Sequence, residues 1–479
     1  MLKRLIKIEE AVNRIAENDF GLTTSQVEYD VVNDQKMIEL MSYNIPTNFS
    51  HWTFGREYNK LKMYYNRGIR SLALETVVDS RPFRAYLSSS NTMGVHALVM
   101  SHVIGHVHHF ITSKYLNPRR TDIVDYLARA TERFMEYEKR YGIDEVEKSI
   151  DAALSIQWHS SPYNNKTDAE KRQDIFNEHK KVFIKNENIF SDIMDHNNQK
   201  KFFEHEDVIW DRLEKKVPVS PEADILRFFI EYGKLTNWQN DILEVVRESS
   251  RYFWKNIRCK TVAEGAATII HNKIMKKMKE EGTLSDTEYS EYIYSNSLVK
   301  HSNPEMLNPY YIGCSIFDDI EYRWDRSMYG EEYDNCKDRK LKENWNIYNE
   351  GAGWQKVLNV IKEHCDWSFI KEYLTPDLIE KMKILFYSIN TDGSTEEINL
   401  STNEIKEHVD NYYVSSFVPD IEVINVSDAS LHLMHNYSGI ELDVEYAKKT
   451  LQHLSYLWKN DVYLSTTIND KKVVLSSLL

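Results

Sequence analysis

Glycine and proline are scarce in this chain, at 15 and 10 of 479 residues, under half the ordinary usage of about 7% and 5%. Both residues break helices, and both build the turns of doubly wound α/β and β-sandwich folds. Their scarcity argues against those classes and for a mainly α fold. Cysteine is as sparse. Cys259, Cys314, Cys336 and Cys365 stand far apart with no CxxC pair, which counts against a disulfide framework or a thiolate zinc site and fits free thiols in a reducing cytoplasm. A basic block is missing too. With 60 basic and 74 acidic residues the net charge is −14, so bulk electrostatics gives the chain no grip on nucleic acid. Nucleotide-binding and serine-hydrolase motifs (GxGxxG, Walker A, GxSxG) are absent, and His205-Glu206 is followed by Ile209 where a zinc peptidase helix carries its second His. The amphipathic N-terminus contains Glu9 and Glu10, which argue against a transit peptide.

What is present is a chain 42% hydrophobic and 12% aromatic, enough for a sizeable core. The stretch from Ala85 to Ser113 has no Asp, Glu, Lys or Arg, yet it carries five His, a Ser88-Ser-Ser-Asn91 run and Gly94. That is too polar to span lipid, and the segment reads as buried inside the protein. Leu2, Leu5, Ile8, Val12 and Ile15 recur at helical spacing. Residues 44–87 mix aromatics with short helical patterns, 92–112 form the His-rich helix, and 120–158 form one or two long helices. Helices return over 221–280 and 286–297; residues 303–328 read as a loop through Asn308–Gly313 followed by a helix with Phe317, Ile320 and Trp324, and 340–390 as helical. The charged stretch 160–205 reads as an exposed insertion. After about 405 the pattern switches to strand alternation at Asp420–Val426 and Leu431–Met434, a helix at Val444–Leu457, and a hairpin turning at Asn469-Asp470. The expected organisation is a large helical domain over 1–400 and a small ββαββ α+β domain over 405–479.

Two constellations carry chemistry. His96, His102, His106, His108 and His109 crowd into 14 residues, and at 100° per residue His102, His106 and His109 fall on one stripe about 60° wide. An H-x-x-x-H pair on a helix converges on one metal ion, although Val103 stands where zincin peptidases place their general base. The second is Val262-Ala-Glu-Gly-Ala-Ala-Thr-Ile-Ile-His271, where Glu264 and His271 share a face two turns apart. A lone carboxylate among small apolar residues must be paired, metal-bound or catalytic. Two readings stay open: one divalent ion (zinc, alternatively iron or manganese) held between the two helices as in helical-bundle metal proteins, or a buried His–Glu hydrogen-bond network. Asp241, Glu244 and Glu248 line one stripe of a third helix, as outer acids or as a salt-bridged face. His51 and His301 are loop-borne.

The stretches Ile45-Pro-Thr-Asn-Phe-Ser-His-Trp-Thr-Phe-Gly55, His102-Val-Ile-Gly-His106, Trp238-Gln239 with Asp241-Ile-Leu243, Glu264-Gly265, Asn308-Pro-Tyr-Tyr-Ile-Gly313 and Gly439-Ile-Glu-Leu-Asp443, in this order, resemble the stage V sporulation protein R (SpoVR) family. The resemblance runs nearly end to end. It implies a cytoplasmic protein, of the mother cell in a spore former, associated with spore cortex formation. It also implies neighbours of two kinds, a serine protein kinase and a von-Willebrand-factor-A-like protein, and it brings no membrane span and no nucleotide cofactor. The chain departs from the family pattern at Ala263, Ala266 and His108, where Asn, Trp and Asp are usual, while His102, His106, Glu264 and His271 remain. Two functions then compete. One is a metal-dependent, hydrolase-like enzyme with His102, His106 and Glu264 on the ion and His271 as fourth ligand or acid/base, with His109, Asp241, Glu248 and His51 as candidates for the surround. The other is a non-catalytic assembly or regulatory factor whose His/Glu network is structural.

Overall fold

A computed structural model of the protein describes residues 2–43, 48–68, 75–161, 166–187, 208–300, 307–336, 338–389, 395–398, 400–413 and 418–477. Residues 45–47 of the Ile45–Gly55 stretch and His301 lie outside them. The fold is mainly α, with a small α+β region at the C-terminus. Contacts divide it into two compact units, one of Met1–Thr131 with Lys255–Phe417, the other of Glu132–Trp254 with Val418–Leu479.

In the first unit, the N-terminal helix Leu2–Asn18 buries Leu5, Ile8, Val12 and Ile15, the stripe its spacing dictates. A three-stranded sheet follows, of β1 (Val27–Val32), β2 (Glu75–Val78) and β3 (Phe83–Ser88), in the order β1-β3-β2. β1 runs parallel to β3, and β2 is antiparallel to it with Glu75 opposite Leu87. Sequence patterning reads 44–87, where β2 and β3 lie, as short helices and makes no assignment at β1. Strands of four and six residues give too few alternations to register as a period.

β3 leads into the histidine helix, Met93–Thr112, whose N-cap Thr92 accepts from the Val95 N–H. This helix is buried on nearly every face, which explains its uncharged sequence. The glutamate helix, Lys260–Glu280, packs against it. The carboxylate of Asp366 caps that helix from 105 residues away, accepting from Thr261 N and Val262 N at 2.9 Å each. A third helix, Pro309–Asp325, starts at Asn308, whose side chain accepts from Tyr310 N at 3.0 Å. Small residues set the spacing: a Cβ added to Gly265 would fall 2.5 Å from the carbonyl carbon of Gly313. Val103, Ile104, Ile269, Ile270, Ile316 and Phe317 belong to one buried core. At about 1.5–3 kcal/mol per buried apolar side chain, packing rather than polar contact holds these helices. Residues 340–390, read as helical throughout, instead end in a strand, β4 (Phe386–Ile389), paired antiparallel with β5 (Thr395–Ile398).

In the second unit, β6 (Ile421–Ser427), β7 (Ser430–His435), β8 (Val462–Ile468) and β9 (Lys471–Ser476) form a sheet in that order. Helix Val444–Trp458 makes the crossover between parallel β7 and β8, so the elements follow the ββαββ order read from the sequence. Both hairpin turns, Asp428-Ala429 and Asn469-Asp470, have positive φ at both residues, the two-residue geometry that suits the twist of paired strands. This region is not isolated from the residues before it. Glu222 and Val423 exchange backbone hydrogen bonds, and Tyr456 meets Ser149 with hydroxyl oxygens 3.0 Å apart. The compact units therefore do not divide at 400–405. The stretch read as an exposed insertion begins with helix Asp168–Glu187, whose buried Lys171 pairs with Glu222 and whose Phe176 stacks on Trp210 at 4.9 Å. Dense charge masks that narrow apolar stripe; residues 188–207 lie outside the described part. Among the described residues no helix is long and apolar enough to cross a membrane.

Candidate metal centre

His102 and His106 leave the histidine helix one turn apart, their rings nearly perpendicular with centroids 4.6 Å apart. Gly105 lies between them against Ala267, so the two helices approach closely at this level. Glu264 faces both imidazoles, its Oε2 3.3 Å from His102 Nε2 and 3.5 Å from His106 Nε2. One ligand atom from each of the three lies within 4.8 Å of the other two. Tetrahedral donors at about 2.0–2.1 Å from a zinc ion stand roughly 3.3 Å apart, close to the two Nε2–O separations. Two imidazoles and one carboxylate, with a position left over, are also the donor set of catalytic rather than closed structural zinc sites. The side chains are 6%, 15% and 16% exposed for His102, His106 and Glu264, so the site is sheltered but reachable.

The charges follow the geometry. Burial pushes the Glu264 carboxyl up, but hydrogen bonds from His102 and His106 and the charge on both rings outweigh it and hold the group well below the usual carboxylate range. Burial pulls His106 down, while its hydrogen bond to Glu264 and the charges of Glu264 and Glu75 win and raise it.

His271 sits elsewhere than expected. Its Nδ1 meets His102 Nδ1 at 3.0 Å, and its Nε2 faces Asn296 Oδ1 at 3.1 Å. It therefore stands behind His102, across the ring from Glu264, and is not in the three-residue cluster. Seven residues of helix rise about 10.5 Å; Glu264 and His271 share a face but are too far apart along it to reach one ion. Burial, then the charge of His102, pushes His271 well below the ordinary imidazole range.

Two residues that sequence reasoning gave no role face the cluster. Glu75 opens β2, and burial pushes its carboxyl up while His102 and His106 pull it down and Glu264 raises it. Tyr310 stacks on His102 at 5.9 Å and 27°, and the charge of Glu264, then burial, pushes its phenol up. A single Glu before Thr76-Val-Val78 gives no sequence signal. Tyr310 lay inside a quoted motif, but nothing in its spacing linked it to His102.

The remaining candidates fall as follows. His109 is buried, with burial holding it down at about 3. His51 caps helix Trp52–Asn66, its Nδ1 2.7 Å from Thr53 Oγ1. Asp241 accepts from both Arg133 and Tyr137, and Glu248 from Arg251; both acids belong to the second unit and serve ion pairs there. His108 accepts from Thr23 N at 3.0 Å, and burial lowers it to about 4, so it is a neutral structural residue.

The family model described as SpoVR like protein matches residues 1–431, and that of the SpoVR-like C-terminal domain matches residues 419–469. An uncharacterized protein of Escherichia coli strain K12, YcgB, is 27% identical over 501 aligned positions that cover 97% of this chain and 92% of its own. No solved structure matches.

Proposed function

The chain belongs to the SpoVR-like family, and from that premise we propose that it is a metal-dependent, hydrolase-like enzyme whose ion is held by His102, His106 and Glu264. The observation that carries this reading is the convergence of one ligand atom each from His102, His106 and Glu264 within 4.8 Å, with Nε2–O separations of 3.3 and 3.5 Å. A zinc, iron or manganese ion bound there supplies a Lewis acid and a water of lowered pKa. The chain's own residues do the rest. Glu264 brings the negative charge that offsets the cation. Tyr310, kept protonated, offers a hydroxyl to the cluster. To Glu75, whose carboxyl burial pushes up, this reading assigns the task of taking a proton, which Val103 cannot perform.

The family's name ties it to sporulation. The wider assignment, to spore cortex formation in the mother-cell cytoplasm beside a serine protein kinase and a von-Willebrand-factor-A-like protein, rests on that resemblance alone.

Elemental analysis of the full chain purified without chelator is the test. About one equivalent of metal in the wild type, and none in a His102→Ala/Glu264→Ala double variant, supports the reading. A wild-type chain with no stoichiometric zinc, iron or manganese, and no gain in Tm on adding them, overturns it. The cluster is then a buried ion-pair network in a non-catalytic assembly factor.

A further inference from the structure

The four cysteines are scattered along the sequence, but two of them meet in the fold. Cys259 is the N-cap of the glutamate helix, and Cys365 is the N-cap of helix Asp366–Tyr373. Three hydrogen bonds tie the two helix starts together. Asp366 N donates to the Arg258 carbonyl oxygen at 3.0 Å, and the Asp366 carboxylate accepts from Thr261 N and Val262 N at 2.9 Å each. Each cysteine is thus the chain neighbour of a residue in the first of these bonds. In a trans peptide Cα259 lies about 2.8 Å from the Arg258 oxygen, and Cα365 about 2.4 Å from the Asp366 nitrogen. The two Cα atoms are therefore at most about 8 Å apart. That limit needs all three spans in one line. A trans amide hydrogen lies on the same side of its bond as the preceding Cα, which turns Cα365 off the line. The separation falls toward the range of roughly 4.4–6.8 Å that a disulfide spans.

A shared neighbour marks the same closeness. The Tyr115 hydroxyl is hydrogen-bonded with Cys365 and Ser368; the charge of Cys365, then burial, pushes its phenol up, and Cys259 adds to the rise. Cys365 Sγ also lies 3.8 Å from Ser368 Oγ. The two thiols differ in access. Cys365 is half-buried, whereas Cys259 is 1% exposed. Burial, with the charges of Asp366 and Cys365 behind it, pushes the Cys259 thiol well above its ordinary range.

We propose that Cys365 and Cys259 form an oxidation site, at which a hydroperoxide oxidises Cys365 and Cys259 closes a disulfide on it. The Cys365 sulfur attacks one peroxide oxygen, the O–O bond breaks, and the departing oxygen takes up the thiol proton, leaving a sulfenic acid. Cys259 Sγ then attacks the Cys365 sulfur. The S–O bond breaks, and hydroxide leaves with the Cys259 proton as water. The two thiols give up two electrons and two protons; with hydrogen peroxide as oxidant, two waters form. Access sets the order: the reachable thiol meets the oxidant, and the sheltered one resolves it. The bridge joins two helix starts, and Glu264 stands five residues beyond Cys259, so oxidation clamps the root of the helix that carries it. None of this depends on a metal at His102, His106 and Glu264.

The test is peptide mapping without reductant of the full chain, reduced, desalted and then treated with a few equivalents of hydrogen peroxide at pH 7. Expected is a Cys259–Cys365 linked peptide in the majority of the protein, lost on adding dithiothreitol. In Cys259→Ser, Cys365 is expected to be trapped by dimedone as the sulfenic acid and to go on to the sulfinic acid. In Cys365→Ser, Cys259 is expected to stay reduced at the same dose. Oxygen gained at Cys365 of the wild type without the linked peptide overturns the pairing. So does a link from either residue to Cys314 or Cys336 in its place, or survival of all four thiols. Oxidation of Cys259 in Cys365→Ser as fast as in the wild type overturns the order of attack. Melting curves show whether the variants fold, and the wild-type map decides the pairing even if one does not.

Discussion

Gly105 of the histidine helix lies against Ala267 of the glutamate helix so closely that a Cβ on Gly105 would sit 2.5 Å from the Ala267 Cα. The obstacle is backbone, which cannot swing aside as a flexible side chain can. Gly105→Ala therefore pushes the two helices apart at the level of His106 and Glu264. Overpacking of this kind costs about 1–3 kcal/mol, against a helix-propensity gain of roughly 1 kcal/mol for replacing Gly. A net loss of stability in denaturant titration is expected, with metal affinity falling further than stability. A variant as stable as wild type with unchanged affinity would show that the contact is slack.

Much of this was readable from residues. Helical phase alone put His102 and His106 on one stripe, because a 3.6-residue period is independent of what the helix packs on. The same logic put Glu264 with His271 on one face, and it erred in letting a shared face stand for a shared point, since His102 comes between them. Glu75 and Tyr310 escaped because their link to the cluster is purely tertiary: β2 is four residues long, and no local period marks its first residue. The C-terminal strands and their crossover helix were legible for the opposite reason, since alternation and the Asn469-Asp470 turn are local. Their grouping with residues 132–254, through Glu222 and Val423, is again a long-range fact.

Glu75 gives a prediction with a sign. Its burial raises the carboxyl against the pull of two histidines, the mark of a charge kept where the fold would prefer a neutral group. Glu75→Gln is expected to leave the Tm of metal-free protein unchanged or to raise it, with bound metal still near one equivalent. A clear fall in Tm would make Glu75 a structural partner of the histidines and remove it as proton acceptor.

Asp366 is the remote cap of the glutamate helix. Asp366→Asn retains one acceptor for Thr261 N and Val262 N but loses the charge that favours a helix N-terminus, whereas Asp366→Ala leaves two buried N–H groups without it. Loss of a capping side chain typically costs about 0.5–2 kcal/mol. Asp366→Ala is expected at or above the upper end and Asp366→Asn below it, by urea denaturation. Equal stability of all three proteins would mean that the helix start is held by packing alone.

Acid should weaken the second unit through His159. Its Nε2 lies 3.2 Å from the Pro419 carbonyl oxygen. Burial lowers the imidazole to about 4, against the opposing bond to Pro419 and charge of Asp420. The folded value is below the unfolded one, about 6.5, so the unfolded chain takes up a proton that the folded chain refuses. The stabilising contribution of His159 is thus complete above pH 6.5 and is lost as pH falls from there toward 4. His159→Gln keeps a donor for the carbonyl and removes the titration. Its stability should decline less steeply over pH 6.5–4 than that of wild type, by at most one proton in the linkage slope. Parallel curves for the two proteins would show that His159 is protonated within the fold, and that its contact with Pro419 does not depend on a neutral ring.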